Sequence, residues 1–136
     1  MDKVKKKCLI ESVSWQAEPQ FVSVNDFFSG NDDNSSIGCN LLEHPGIKIF
    51  NEIFTDLEKH KDVEAVYIQI AELDPSEDSW PFSDTVLVIG NISKSNLHNI
   101  VSPLKPDEIG TGEEYGAPQI IMEKYKSWNI YAVWWD

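Results

Sequence analysis

The sequence predicts an α+β fold: a two-layer sandwich in which a four-stranded, mainly antiparallel sheet carries two helices, built as one domain over residues 1–136. Three observations predict it. A length of 136 residues suits one hydrophobic core. Hydrophobic residues at 41% and aromatics at 11% exceed what an acidic disordered chain holds, despite the net charge of -12. Finally, the apolar periodicity changes along the chain in the order strand, helix, strand, strand, helix, strand.

The first strand is expected over Leu9 to Trp15, with Leu9, Val13 and Trp15 on one face. Lys3, Lys5, Lys6 and Lys7 before it read as a solvated arm. Residues 16–44 have little period beyond a helical turn after Ser23, and the polar run from Ser29 to Ser36 marks a long loop. Pro45 then opens an amphipathic helix in which Ile47, Phe50, Ile53, Phe54 and Leu57 recur at helical spacing, ending in Lys59, His60 and Lys61, which suit the negative end of the helix dipole.

Val63 to Leu73 and Thr85 to Asn91 read as strands joined by a broad hairpin connection through Asp74 and Trp80. Ser93 or Ser95 caps a short helix carrying Leu97, Ile100 and Val101, which Pro103 stops. Leu104 to Pro118 reads as loop, Gln119 to Tyr125 fits either periodicity, and Asn129 to Trp135 closes the sheet. This is the element order of the split β-α-β, ferredoxin-like sandwich.

A sheet with one solvated face alternates apolar and polar residues. Val86-Leu87-Val88-Ile89 and Ile130 to Trp135 do not alternate. The open face is therefore either covered by the long 16–44 and 104–127 segments, which carry Phe21, Phe27, Phe28, Leu41 and Leu42, or it is a protein-binding or homodimer surface.

Charge narrows the function classes. All 11 basic residues are lysines, against 23 acids. Arginine grips phosphate and carboxylate with paired hydrogen bonds, so its absence removes the usual hardware for nucleotides and nucleic acids. The acidic field repels polyanions and anionic membranes and attracts basic partners. The N-terminal apolar stretch is broken by Glu11, Ser12 and Ser14, and no window reaches the ~20 apolar residues of a membrane span, so a cytoplasmic protein is expected. Without an export signal, Cys8 and Cys39 read as reduced thiols.

No catalytic or cofactor signature stands out. His44, His60 and His98 lack metal-ligand spacing, Gly110-Thr111-Gly112 reads as a turn, and no local motif sets Cys39 or Ser83 beside a histidine. From Asp32 to Glu43, oxygen-bearing side chains fall where an EF-hand loop wants several of its ligands, but Ile37 stands where that loop needs glycine. The run reads as a solvated loop with Asx turns, calcium being the alternative.

Three acidic clusters are the candidate partner-binding surface: Asp32 with Asp33, Glu77 with Asp78 beside an anchoring Trp80, and Glu113 with Glu114. In general character, through these acidic pairs and the aromatics Trp80, Trp134 and Trp135, the chain resembles the immunity proteins with which bacteria neutralise cationic toxin domains. The resemblance implies a non-enzymatic inhibitor that blocks a basic partner. The alternative is a small enzyme, or a small-molecule or metal binder, with a pocket between sheet and long loops and with Asp32, Asp33, His44 and Asp84 as acid-base candidates.

Overall fold

In a computed structural model that describes residues 1–136, the chain forms five helices and an open five-stranded sheet. The helices are α1 (Lys3–Ser12), α2 (Val24–Phe28), α3 (Ile47–Glu58), α4 (Lys94–Val101) and α5 (Gln119–Lys124). The strands are β1 (Phe21–Ser23), β2 (Val63–Gln69), β3 (Thr85–Gly90), β4 (Glu108–Thr111) and β5 (Asn129–Trp134). The α+β class stands, while the counts of four strands and two helices are corrected.

The largest correction is at the N-terminus, where a helix replaces the expected strand. Leu9 and Val13 lie four residues apart, a spacing that puts two side chains on one face of a strand or of a helix alike. Helix wins because the Asp2 side chain accepts from the N–H groups of Val4 and Lys5, and because the lysines that follow are good helix formers. Leu9 and Val13 are buried, whereas Trp15, the third residue of the expected strand face, is 67% exposed.

The lysine segment is accordingly no solvated arm. Lys6 is buried and donates from Nζ to the Ser76 carbonyl at 2.7 Å, with Asp74 Oδ1 at 3.1 Å. Its stem packs and its head is satisfied, which clips α1 to the β2–β3 connection.

The sheet runs β1-β2-β3-β5-β4, antiparallel throughout. In a split β-α-β unit the strands joined by a helix are parallel with another strand between them; here β1 and β2, joined through α2 and α3, are antiparallel neighbours. The ferredoxin-like order is thus not realised. Edge strands β1 and β4, three and four residues long, lie in stretches that read as loop, and short edges expose little unpaired backbone.

The non-alternating strands have a plain cause, because the sheet is covered on both faces. On one face Val66, Ile68, Val86, Val88 and Val133 meet Leu9, Phe27, Phe50, Phe54, Leu57 and Leu97 in a cluster of 25 buried residues. Residues at the ends of β3 and β5 add to it, and Trp135 packs on Phe50 and Phe54 and donates from Nε1 to the Leu104 carbonyl at 2.9 Å. On the other face a smaller cluster joins Leu87, Ile89 and Ala132 to Ile121 of α5 and to Tyr125 just after it, with Tyr115 and Ala117 beside it. The cover comes from the 104–127 segment. Phe27, Phe28 and Ile37 of the other long segment turn to the first face, and of its aromatics Phe21 alone packs on the second.

Local signals place the remaining helices. Ile47, Phe50, Phe54 and Leu57 are the buried stripe of α3, whose first N–H is taken by Asn34 Oδ1 at 3.2 Å. Ser93 caps α4 through the N–H of Asn96. No helix is long and apolar enough to cross a membrane.

Candidate functional site

The acidic clusters do not merge into one surface. Asp33 ties two of them together from within: its Oδ1 accepts from the N–H and hydroxyl of Ser35, and its Oδ2 accepts from the N–H of Trp80 at 3.0 Å. Burial works to raise the Asp33 pKa, but these hydrogen bonds together outweigh it and hold the carboxyl below its ordinary value.

Trp80 itself is 1% exposed. Its ring belongs to the core, so it is not the surface anchor expected from its acidic neighbours. Around this junction α1 supplies the countercharge. Lys3 Nζ lies 3.9 Å from Glu77 and 3.6 Å from Asp78, Lys6 meets Asp74, and the N-terminal ammonium lies 3.1 Å from Asp32.

Glu113 and Glu114 sit apart, after β4, with no hydrogen bond or ion pair to the other two clusters. Glu114 Oε1 accepts from the Thr111 N–H, and hydrogen bonding from the Thr111 backbone, then from its hydroxyl, holds the Glu114 carboxyl below the ordinary range; the Glu114 N–H in turn donates to the Thr111 hydroxyl. Gly110 and Thr111 are strand residues, not the turn their composition suggested.

The acid-base candidates are held apart as well. His44 bonds Ile37 O and accepts from the Gly46 N–H, Asp33 is committed to Trp80 and Ser35, and Asp84 accepts from the Thr85 hydroxyl. In the 31–43 run the side-chain oxygens of Asn31, Asp33 and Asn34 point to backbone N–H groups, and no three His, Cys, Asp or Glu side chains gather at a metal-sized spacing. Cys8 and Cys39 are free and exposed.

What the structure assembles instead is a row across the second sheet face. The strand register sets Phe21, Gln69, Thr85, Trp134 and Glu108 side by side, one from each strand. The next row inward, Ser23, Tyr67, Leu87, Ala132 and Gly110, belongs to the covered part of that face. At the row's edge the sheet changes from a packed surface to a cleft of about 400 Å³, lined by Glu18, Gln69, Asp84, Thr85, Tyr115 and Trp134 among others.

Two aromatic rings wall it, since Tyr115 and Trp134 stand 5.7 Å apart. The Tyr115 phenol leans on the Glu108 carboxylate, which pushes its pKa up to about 12. Gln69 is 8% exposed; its Nε2 donates to the Tyr115 carbonyl at 3.2 Å, and its Oε1 has no partner.

Glu18, Asp84, Asp107 and Glu108 surround this end of the sheet, and none of them is in an ion pair. Lys94 acts on Glu114 only at a distance. Gln69 and Thr85 carried a signal in the sequence, as polar residues at the ends of otherwise apolar strands. Their meeting with Trp134 and Glu108 depends on pairing register, which single strands do not reveal.

A family model described as the Uncharacterized protein YfbO family matches residues 4–130. A protein of Escherichia coli (strain K12) titled Uncharacterized protein YfbO is 27% identical over 116 residues, which covers 85% of this chain and 81% of that protein. No solved structure matches.

Proposed function

This chain belongs to the YfbO family, and we propose that it is a non-enzymatic, acidic protein-binding domain whose partner is a basic protein. One observation carries the reading: the carboxylates at the β3–β5–β4 end of the sheet have no ion-pair partner, whereas Asp32, Asp74, Glu77 and Asp78 at the α1 junction do. Unanswered carboxylates beside the half-buried rings of Tyr115 and Trp134 steer a cationic partner into contact and give it something to pack against. The acidic groups that a hydrolytic or acid-base site would need are separately bonded into the fold. An inhibitor of the immunity type is the specific form we favour, with the partner blocked rather than modified.

The test is capture on the immobilised protein at about 50 mM salt, where charge attraction is only weakly screened, followed by elution with rising salt. A stoichiometric basic protein is expected on the wild type. Retention is expected to fall for Glu18→Lys with Glu108→Lys and to persist for Glu77→Lys with Asp78→Lys. If both pairs behave alike, the sheet-end surface is not the contact. A captured enzyme that keeps full activity when bound would remove the inhibitory form and leave the binding one.

A further inference from the structure

We propose that the cleft at the sheet end is a receptor for one arginine side chain of the basic partner. The proposal rests on the protein-binding reading above and names the site through which it works. A buried amide oxygen without a donor costs free energy unless something fills the need. Gln69 Oε1 is such an oxygen. Exchanging the amide's O and N does not help, because Nε2 is the atom that serves the Tyr115 carbonyl, and reversal would set two acceptors against each other.

Gln69 shares the cleft lining with Asp84 and Glu18; its closed-off oxygen meets a donor from the cleft once the amide turns toward it, and the carboxylates favour a positive donor. Trp134 and Tyr115 add the faces of two rings, which attract a cation through the ring quadrupole and stack well on a flat group. A guanidinium meets all three demands at once: it is planar, always charged, and has five N–H donors to divide between an amide oxygen and a carboxylate. A lysine ammonium offers the charge but cannot stack. The chain has no arginine of its own, so the occupant comes from another molecule.

The experiment titrates 15N-labelled full-length protein with N-acetyl-arginine amide, following the Gln69 side-chain amide and the Trp134 indole N–H by NMR. One side chain's contacts bind in the millimolar range, so the titration runs to about 50 mM. Saturable shifts of both signals are expected, weaker by about tenfold with the uncharged citrulline analogue and reduced with the lysine analogue. The same loss is expected in Gln69→Leu and in Asp84→Asn, each checked by its spectrum to be folded.

Equal responses to arginine and citrulline, no saturation in the wild type, or full binding by folded Gln69→Leu would each overturn the proposal. The two readings fail separately. A basic partner held by the wild type with no arginine response in the cleft sinks the receptor and spares the protein-binding reading. A saturable arginine response with no basic partner captured does the reverse.

Discussion

The two faces of the sheet have been closed in different ways. The first is sealed by four helices with aliphatic and aromatic side chains and holds few polar groups: Trp135 Nε1 meets the Leu104 carbonyl, while the buried Trp80 Nε1 has no partner. The second is covered by a six-residue helix and a loop, keeps hydroxyls and an amide among its packed groups, and opens into a cleft at one end. One face carries most of the apolar burial that drives folding, and the other is left free to hold polar groups at fixed positions. Function can occupy the second because the first already supplies the stability.

The sharpest way to break that comparison is to empty each face in turn. Phe54→Ala should cost about 3–5 kcal/mol, the usual range for a buried phenylalanine. Leu87→Ala should cost about 2–3 kcal/mol, because short α5 can settle into the space. Urea midpoints of both variants decide it, and a larger cost at Leu87 would mean that the second layer is as integral as the first.

Asp33→Asn probes the junction behind Trp80. It should lose about 1–2 kcal/mol through weakened hydrogen bonds. It should also change the acid limb: a carboxyl held below its ordinary 3.8 stabilises the fold above that pH and loses the effect as pH falls through its folded value. Thermal midpoints between about pH 2 and pH 5 should therefore fall less steeply in the variant.

A smaller effect tests the polar content of the second face. The Tyr67 and Tyr125 hydroxyls share a bond of 2.6 Å, and burial, then that bond, pushes the Tyr67 pKa up to about 12. A phenol held protonated in the fold stabilises it fully below 10.0, and that stability is lost as pH rises through about 12. Tyr125→Phe should cost about 1 kcal/mol and lower the Tyr67 pKa as read by ultraviolet titration, while burial keeps it above its ordinary value.

The least effect belongs to the exposed charges at α1. Lys3→Ala removes two long, solvated ion pairs and should shift stability by no more than about 0.5 kcal/mol. A larger loss by urea titration would show that the α1 countercharge is structural and not merely neutralising.

How much was legible follows from what each signal depends on. The buried stripe of α3, the Ser93 cap of α4 and the apolar runs of β3 and β5 are local patterns, and each was readable where it stands. The helix α1 was not, because Leu9 and Val13 satisfy two periodicities and Asp2 settles the choice. Trp80 looked like a surface anchor because its neighbours are acidic, yet its N–H bond to Asp33 accompanies a ring turned into the core. Of the candidate site, Asp84 and Trp134 were in view as separate residues; Gln69, Thr85 and Tyr115 were not.

By itself the sequence determined an acidic, arginine-free chain with enough apolar residues for a core, the α+β class, and strands too apolar to leave a sheet face in water. Those properties are sums over side chains or repeats over a few neighbours. The tertiary structure alone decided which acids are neutralised, which tryptophan is exposed, and which residues share a row across five strands. Each of those is a relation between segments far apart in the chain, created only when their backbones pair in one register.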